Sequence, residues 1–511
     1  MREGKPLLRK KKKKTKVSNY TFYVVMAAAS IALGLGLGIG LSGNSCDEEC
    51  LPKVNTSEDG IYFWVPPSEG LELRRLCNCN DYSIRDLDEM GLENPRDISN
   101  EFFAETMAIL DPRYTSGIWV FGQFIDHNII LTRANSTAEP LFVSVDDPED
   151  LFFQNGIFNL TFEPAVVVED ENGCDVQITD QGGFLDGVGI YGNTEELAAE
   201  LRDMAGDGML KVQIIGREEY MVRQGGGWLA GDPRAAETVP LSAMHTLFVR
   251  NHNRWCRRIR TLRPDWTGDE VYEKARQLNV AEFQVLVYQE WLPRVIGRTL
   301  QLDMSEGLIS ETKNQLFLEF GLSAFRFGHT AVTAVIGPFQ VMDFFFQPDR
   351  LIENGLTQWL RWVQETPGSR IDANVTDALR NFLFGNMGED LVTRNLQRAR
   401  QVGLPTFEEF QRCLYEQPSG GASDPRTDLF LGLLAEESLF DVGAATPPTL
   451  TDFLALQFKE LAEGDPNFYL RIKDDIGELF WPEVTSITMV ELIRRNTPGM
   501  AFPNPSFFDR T

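Results

Sequence analysis

The longest apolar run comes early: Tyr20 to Leu41 is 22 residues without a charge. That is close to the ~20 residues a helix needs to cross a bilayer, and longer than the apolar stretch of about 7–15 in a cleaved signal peptide. It predicts a transmembrane signal-anchor helix over 20–41. Beyond about residue 90, apolar positions recur at helical spacing. The pattern predicts helices over Trp119–Leu131, Leu241–Leu262, Tyr272–Ile296 (closing near Gly297), Ile309–Phe327, Asp377–Phe384 and Thr451–Glu463. Strict alternation is rare, with Leu210–Ile215 and Val332–Phe339 the best short strands. Pro, Gly and Asp clusters near 145–150, 223–234, 365–372 and 417–426 read as surface loops. The fold class expected is mainly α: one large domain with few short strands, preceded by one transmembrane helix.

With 511 residues, 43% hydrophobic and 24% charged, the chain can bury a sizeable core, which excludes a disordered or disulfide-scaffold protein for its bulk. The net charge of −27 is unevenly divided: residues 1–16 carry nine Lys/Arg against Glu3 alone, a net of +8, which leaves −35 for the rest. So basic a start stays cytosolic, which predicts a single-pass type II membrane protein with its bulk lumenal or extracellular. The acidic body repels nucleic acid and anionic membrane surfaces. The expected organisation is a basic tail (1–19), the anchor (20–41), a juxtamembrane linker (42–89) and a main domain (90–511). Glycosylation sequons at Asn55, Asn135, Asn159 and Asn374 follow the anchor. Cys46 and Cys50 suit a local disulfide in an oxidising compartment, whereas Cys77 and Cys79 are too close to bridge each other and pair elsewhere, if at all.

Chemistry concentrates in three segments. In Trp119-Val-Phe-Gly-Gln-Phe-Ile-Asp-His-Asn-Ile-Ile-Leu131, a helix at about 100° per residue puts Asp126 near about −60° and His127 near about +40° from Gln123. An amide, a carboxylate and an imidazole share one arc of an apolar helix; a buried, self-satisfied polar triplet would look the same. In Gly231-Asp-Pro-Arg-Ala-Ala-Glu237, Arg234 and Glu237 share a face if the stretch is helical, and a surface ion pair is the plainer reading. In Phe325-Arg-Phe-Gly-His-Thr330 a lone His sits among apolar residues, ordinarily a core histidine.

Together with Asn94-Pro-Arg-Asp-Ile-Ser-Asn100, Ala243-Met-His-Thr-Leu-Phe-Val-Arg-Asn-His-Asn-Arg254, Tyr288-Gln-Glu-Trp-Leu-Pro293, Asn395-Leu-Gln-Arg-Ala-Arg400, Gly403-Leu-Pro405 and Asp428-Leu-Phe-Leu-Gly-Leu-Leu-Ala-Glu436, these segments carry a resemblance. The chain resembles the animal-type heme peroxidases, the superfamily of myeloperoxidase, peroxidasin and peroxinectin, in order over roughly residues 90–440. The last seventy or so residues match poorly. The resemblance implies heme b, with His329 as proximal iron ligand and Asn395 bonded to that imidazole's other nitrogen. It implies His127 as distal base, Arg234 as distal arginine, Gln123 as the distal amide and Arg326 beside a propionate. Asp126 and Glu237 match carboxylates that are esterified to heme methyl groups in the vertebrate members. Calcium is held in those members by an acid after the distal histidine and a loop like Gly182-Gly-Phe-Leu-Asp-Gly-Val188. Here only Asp186, the Phe184 carbonyl and Asn128 remain, which points to weak calcium binding or none. His245 and His252, seven apart on one helix, are left to structure.

Three function classes follow: a peroxidase reducing hydrogen peroxide and oxidising halide, thiocyanate or small organic donors; a heme fatty-acid dioxygenase; and a non-catalytic adhesion protein. The dioxygenase branch needs a tyrosine three residues before the proximal histidine, where this chain has Arg326. An adhesive relative has no need of the full distal and proximal set. Thr238 stands where myeloperoxidase has a methionine bonded to its heme, which disfavours chloride as donor. Nothing in the sequence sets an oligomeric state.

Overall fold

The computed structural model describes residues 70–77, 92–105, 107–305, 316–385, 387–416, 427–436, 443–497, 499, 502 and 504–510. The expected anchor, Cys46, Cys50, Asn55 and Cys79 lie outside these residues. Among the described residues no helix is long and apolar enough to cross a membrane.

The described chain is mainly helical. The helices that shape its centre are α1 (Pro95–Phe102), α2 (Gly117–Ile129), α3 (Val239–Leu262), α4 (Gly268–Val285), α5 (Leu391–Gln401), α6 (Pro448–Gly464) and α7 (Met489–Asn496). In α2 every residue but Gly122 and Gln123 is buried, so this helix is held by packing on all sides rather than by one amphipathic stripe. Thr238 caps α3 by accepting from the Leu241 N–H, and Pro240 occupies its first turn. A capping box of Thr267 and Glu270 starts α4. The chain then runs through a π-helical turn (Leu286–Trp291) into Leu292–Ile296, and Gly297 ends it at φ +70.

The core is aromatic where these helices cross. Phe124 of α2 stacks on Phe248 of α3 at 4.9 Å between centroids and meets Phe283 of α4 edge-on at 5.4 Å. Each such ring, fully buried, stabilises the fold by roughly 1.5–3 kcal/mol. Nearly all buried apolar side chains join this one core; a small satellite sits on the hairpin Leu141–Ser144/Asn159–Phe162. The sheets are short antiparallel pairs, and the largest has three strands, with Asp175–Thr179 between Leu71–Glu72 and Val167–Glu169.

Two long-range ties position the site. Arg96 of α1, 1% exposed, donates to Asp150 and to Asp390, the residue that caps α5. Cys77 is disulfide-bonded to Cys413, so it pairs elsewhere than with Cys79, as its spacing required.

Several boundaries differ from the sequence pattern. The described part of the expected Ile309–Phe327 helix is only Leu318–Leu322, which breaks at Ser323 into a 3-10 turn, Ala324–His329. Asp377–Phe384 is helical only to Arg380 and kinks at Phe384, φ 59. The expected strands shrink to Gln213–Ile215 and to a hairpin of Val335–Ile336 with Phe339–Gln340. Two expected loops hold strand pairs instead: Arg223–Gln224 with Gly227–Trp228, and Pro367–Ser369 with Leu110–Thr115.

Candidate active site

A cavity of about 330 Å³ opens between α2 and the segment 324–329. Its one wall is built by α2, which supplies Gln123, Asp126 and His127, and by the segment leading into α3, which supplies Arg234, Glu237 and Thr238. Its other wall is the 3-10 turn with Arg326 and His329, backed by α5 with Arg394, Asn395 and Arg398. Residues 231–237 are not helical, correcting the shared-face reading of Arg234 and Glu237. They form successive turns, with the Ala235 N–H donating to Asp232 O and the Glu237 N–H to Arg234 O. The turns bring both side chains to the cavity all the same.

On the proximal wall, the Asn395 amide lies 3.0 Å from His329 Nδ1. The atom facing the ring is Nδ2; with the amide flipped so that its oxygen faces the ring, Nδ1–H would donate to it and the Nε2 lone pair would be left for a metal. Burial, then Arg326, pushes the His329 pKa down to about 3, so the imidazole is neutral, as a ligand must be.

The distal wall is a charged mesh. Arg234 forks onto Asp232 through Nε (3.0 Å) and Nη2 (2.7 Å), and Nη2 also donates to Ile130 O. Its Nη1 is 3.7 Å from Asp126 Oδ2, which is 3.6 Å from Arg326 Nη1. Gln123 Nε2 donates to Glu237 Oε2 at 2.8 Å, and the Thr238 hydroxyl donates to Gln123 Oε1 at 3.4 Å. His127 is 3% exposed, with Nε2 3.7 Å from Glu237 Oε2. Burial, then Arg234, holds its pKa well below the usual value, so it is a neutral proton acceptor. Burial raises Asp126, against the pull of Arg326 and Arg234, and raises Glu237 to about 7.

The donor set fits a heme. An imidazole with one nitrogen held faces the cavity, and apolar walls (Phe325, Phe345, Leu383, Leu391) match a macrocycle. Buried polar atoms wait at its edge: Asp126 Oδ1 and the Nε groups of Arg394 and Arg398 have no hydrogen-bond partner. Burial, followed by Arg394 and Arg326, lowers Arg398 to about 10, which a carboxylate such as a propionate would relieve. Sequence reasoning did not name Arg394 and quoted Arg398 only within the Asn395–Arg400 motif, without a role; their signal was their place, one residue before and three after Asn395 on one helix.

A model described as "Animal haem peroxidase" matches residues 69–420. The chain belongs to that family. Animal heme peroxidases similar to it include peroxinectin A of Dictyostelium discoideum, 26% identical over 492 residues, covering 85% of this chain and 91% of that protein. The human peroxidasin homolog is 26% identical over 489 residues, but this chain spans only 33% of it. Among solved structures, peroxidase A from Dictyostelium discoideum superposes with a TM-score of 0.76 at 25% identity, covering 86% of this chain and 96% of that one. The fatty acid alpha-dioxygenase of Oryza sativa shares the fold, with a TM-score of 0.69 at 18% identity over 84% of this chain and 80% of that one. As a family member the chain is a heme-dependent oxidoreductase of the peroxidase type.

The residues matched to calcium fall behind α2. Asn128 donates from Nδ2 to Phe124 O (2.7 Å), and its Oδ1 accepts from the Gly189 N–H (3.0 Å). Asp186 Oδ1 accepts from the Val188 N–H at 3.3 Å, and Oδ2 is buried without a hydrogen-bond partner. A side chain at Gly182 would meet that oxygen at 2.9 Å. Among the described residues no three His, Cys, Asp or Glu side chains cluster to hold a metal ion. His245 packs edge-on to Phe124 at 5.0 Å, and His252 Nδ1 meets the Tyr191 hydroxyl at 3.0 Å; both are buried, as structural histidines are.

Proposed function

We propose that this chain is a membrane-anchored peroxidase that reduces hydrogen peroxide and oxidises bromide, iodide, thiocyanate or small organic donors. One arrangement supports the reading: His329 backed by Asn395 on one wall, with His127, Arg234 and Gln123 on the other, all lining one cavity. Heme, when bound, supplies the redox-active iron at which peroxide is reduced and donors are oxidised. His329 would hold the iron through Nε2, and Arg326 and Arg398 the propionates. Asp126 and Glu237 would each form an ester link from a carboxylate oxygen to a heme methyl carbon, hydrogen peroxide taking up the two electrons and the displaced methyl hydrogen to leave water and hydroxide. His127 Nε2 would take a proton from one peroxide oxygen and return it to the other. The fixed charge of Arg234 stabilises negative charge on the departing oxygen. Gln123 orients water or an anionic donor. Thr238, as helix cap and partner of Gln123, contributes no link to a macrocycle.

The membrane anchor and type II orientation belong to the same proposal. They rest on the +8 charge before an uncharged 22-residue run. Asn159 is exposed, and Asn135 and Asn374 are partly so, which suits glycosylation outside the cytosol.

The test is stopped-flow mixing of the heme-loaded protein with peroxide, then with each donor. Expected is a Soret change first-order in peroxide, reversed by at least one donor. No Soret change would leave the non-catalytic reading, and oxygen uptake with a fatty acid would establish the dioxygenase one.

A further inference from the structure

One buried charge at the distal wall has no role in the chemistry above. Asp232 is 1% exposed. Its Oδ1 accepts from the Arg234 backbone N–H (2.7 Å) and Nε (3.0 Å). Its Oδ2 accepts from Arg234 Nη2 and Gln181 Nε2, each at 2.7 Å. Gln181 Nε2 also donates to the His127 carbonyl at 2.9 Å, tying the carboxylate to the backbone of α2. On its remaining side Asp232 Oδ1 stands 3.8 Å from His127 Nδ1, a buried ring nitrogen with no hydrogen-bond partner.

A neutral imidazole has one N–H and one lone pair. A carboxylate attracts the N–H and repels the lone pair, so Asp232 selects the Nδ1–H form of His127. The lone pair then sits on Nε2, the nitrogen that stands 3.7 Å from Glu237 Oε2. That is the tautomer a base acting in the cavity requires. Of the three carboxyls round His127, burial pushes Asp126 and Glu237 toward the neutral form. At Asp232 burial is overridden by Arg234, with His127 adding to the pull, and the group stays ionised well below the usual range. The same oxygens clamp the Arg234 fork and leave Nη1 on the side of Asp126.

We propose that Asp232 is a positioning residue for peroxide reduction, one buried carboxylate that sets both the tautomer of His127 and the orientation of Arg234. The inference rests on the peroxidase reading of the cavity. The test compares wild-type and Asp232→Asn protein, both heme-loaded, by three measurements: the rate of the first Soret change with peroxide, the rate of cyanide binding, and the C–O stretch of the ferrous carbonyl complex. Expected for Asp232→Asn is unchanged heme content, peroxide and cyanide rates lower by roughly 10–100-fold, and a shifted C–O stretch, since losing the partner that orients a heme-site histidine typically costs that much. A wild type inert to peroxide would refute the peroxidase reading itself. A reactive wild type, with Asp232→Asn within about two-fold of it and the stretch unmoved, would refute the positioning role alone. Where Asp232→Asn yields no folded protein, Asp232→Glu decides: it keeps the negative charge but displaces the carboxylate from both His127 Nδ1 and the Arg234 fork. A several-fold slower peroxide step with a shifted stretch supports the role, and unaltered values overturn it.

Discussion

The side-chain amide of Asn395 and Nδ1 of His329 face each other at 3.0 Å, joining α5 to the turn that carries the proposed iron ligand. The pairing leaves a single ring nitrogen for the metal. His329→Ala should therefore give protein with little or no Soret absorbance, whereas His245→Ala, which alters a ring packed edge-on against Phe124 of α2, should keep both heme and turnover. Heme content by pyridine hemochromogen is the measurement. An unchanged Soret band in His329→Ala would end the assignment.

His127 is neutral and buried, placed to move a proton. His127→Ala should retain heme but react with peroxide more slowly by about 10²–10⁴-fold, the usual cost of losing acid–base catalysis. A near-normal rate constant in stopped flow would show that the base lies elsewhere.

Asp126 and Glu237 line the cavity with one orphaned oxygen and one carboxyl shifted to about 7. Acid-acetone extraction should leave heme on the wild type and release it more completely from Asp126→Ala and Glu237→Ala. Complete release from the wild type refutes both ester links.

Both ends of the Asn128 amide are already bonded, to Phe124 O and to the Gly189 N–H. These bonds fix the end of α2 and engage the amide oxygen that a calcium ion would draw on. Prolonged chelation should change neither heme content nor peroxide rate, and metal analysis should find well under one calcium per chain. A stoichiometric calcium whose removal abolishes activity would contradict this.

Burial raises the Asp186 carboxyl from 3.8 to about 7, against the pull of Arg276. The folded chain thus holds a proton that the unfolded chain releases between those two values. The stabilising contribution is fully present below about pH 4 and is lost as pH rises to about 7. Asp186→Asn removes the titration. Relative to wild type it should gain stability between pH 5 and pH 8, by about 1–3 kcal/mol at roughly 1.4 kcal/mol per pKa unit. Denaturant midpoints at the two pH values check this; an equal difference at both would sink it.

Helical periodicity was enough to place α3 and α6, because apolar positions repeat there at helical spacing with few competing signals, whereas α2, buried nearly all round, was legible as a long apolar run. It failed around His329. The run Leu316 to Phe327 is apolar enough for one helix, yet it breaks at Ser323. The Glu319 carboxylate there accepts the Leu76 and Cys77 N–H groups, partners more than 240 residues away that no local pattern reveals. Motif resemblance pointed to His127, Arg234, Glu237 and His329, and the fold brings the four to one cavity. Asp232 was not, since an Asp before a Pro reads as a turn residue. Only the fold shows it forked by Arg234 and sealed from water.

The Cys77–Cys413 bond spans 336 residues of sequence. Between the two half-cystines lie His127, Asp232, Arg234, His329 and Asn395, so every group assigned to the chemistry belongs to one covalently closed ring. In the chain-entropy picture so long a loop restricts the unfolded chain by about 6 kcal/mol. The ring cannot close until residue 413 has been synthesised, so the distal helix must find its first partners uncrosslinked. Once closed, it makes the protein tolerant of a cut: a protease nick anywhere between Cys77 and Cys413 leaves two pieces that run as one chain until a thiol is added.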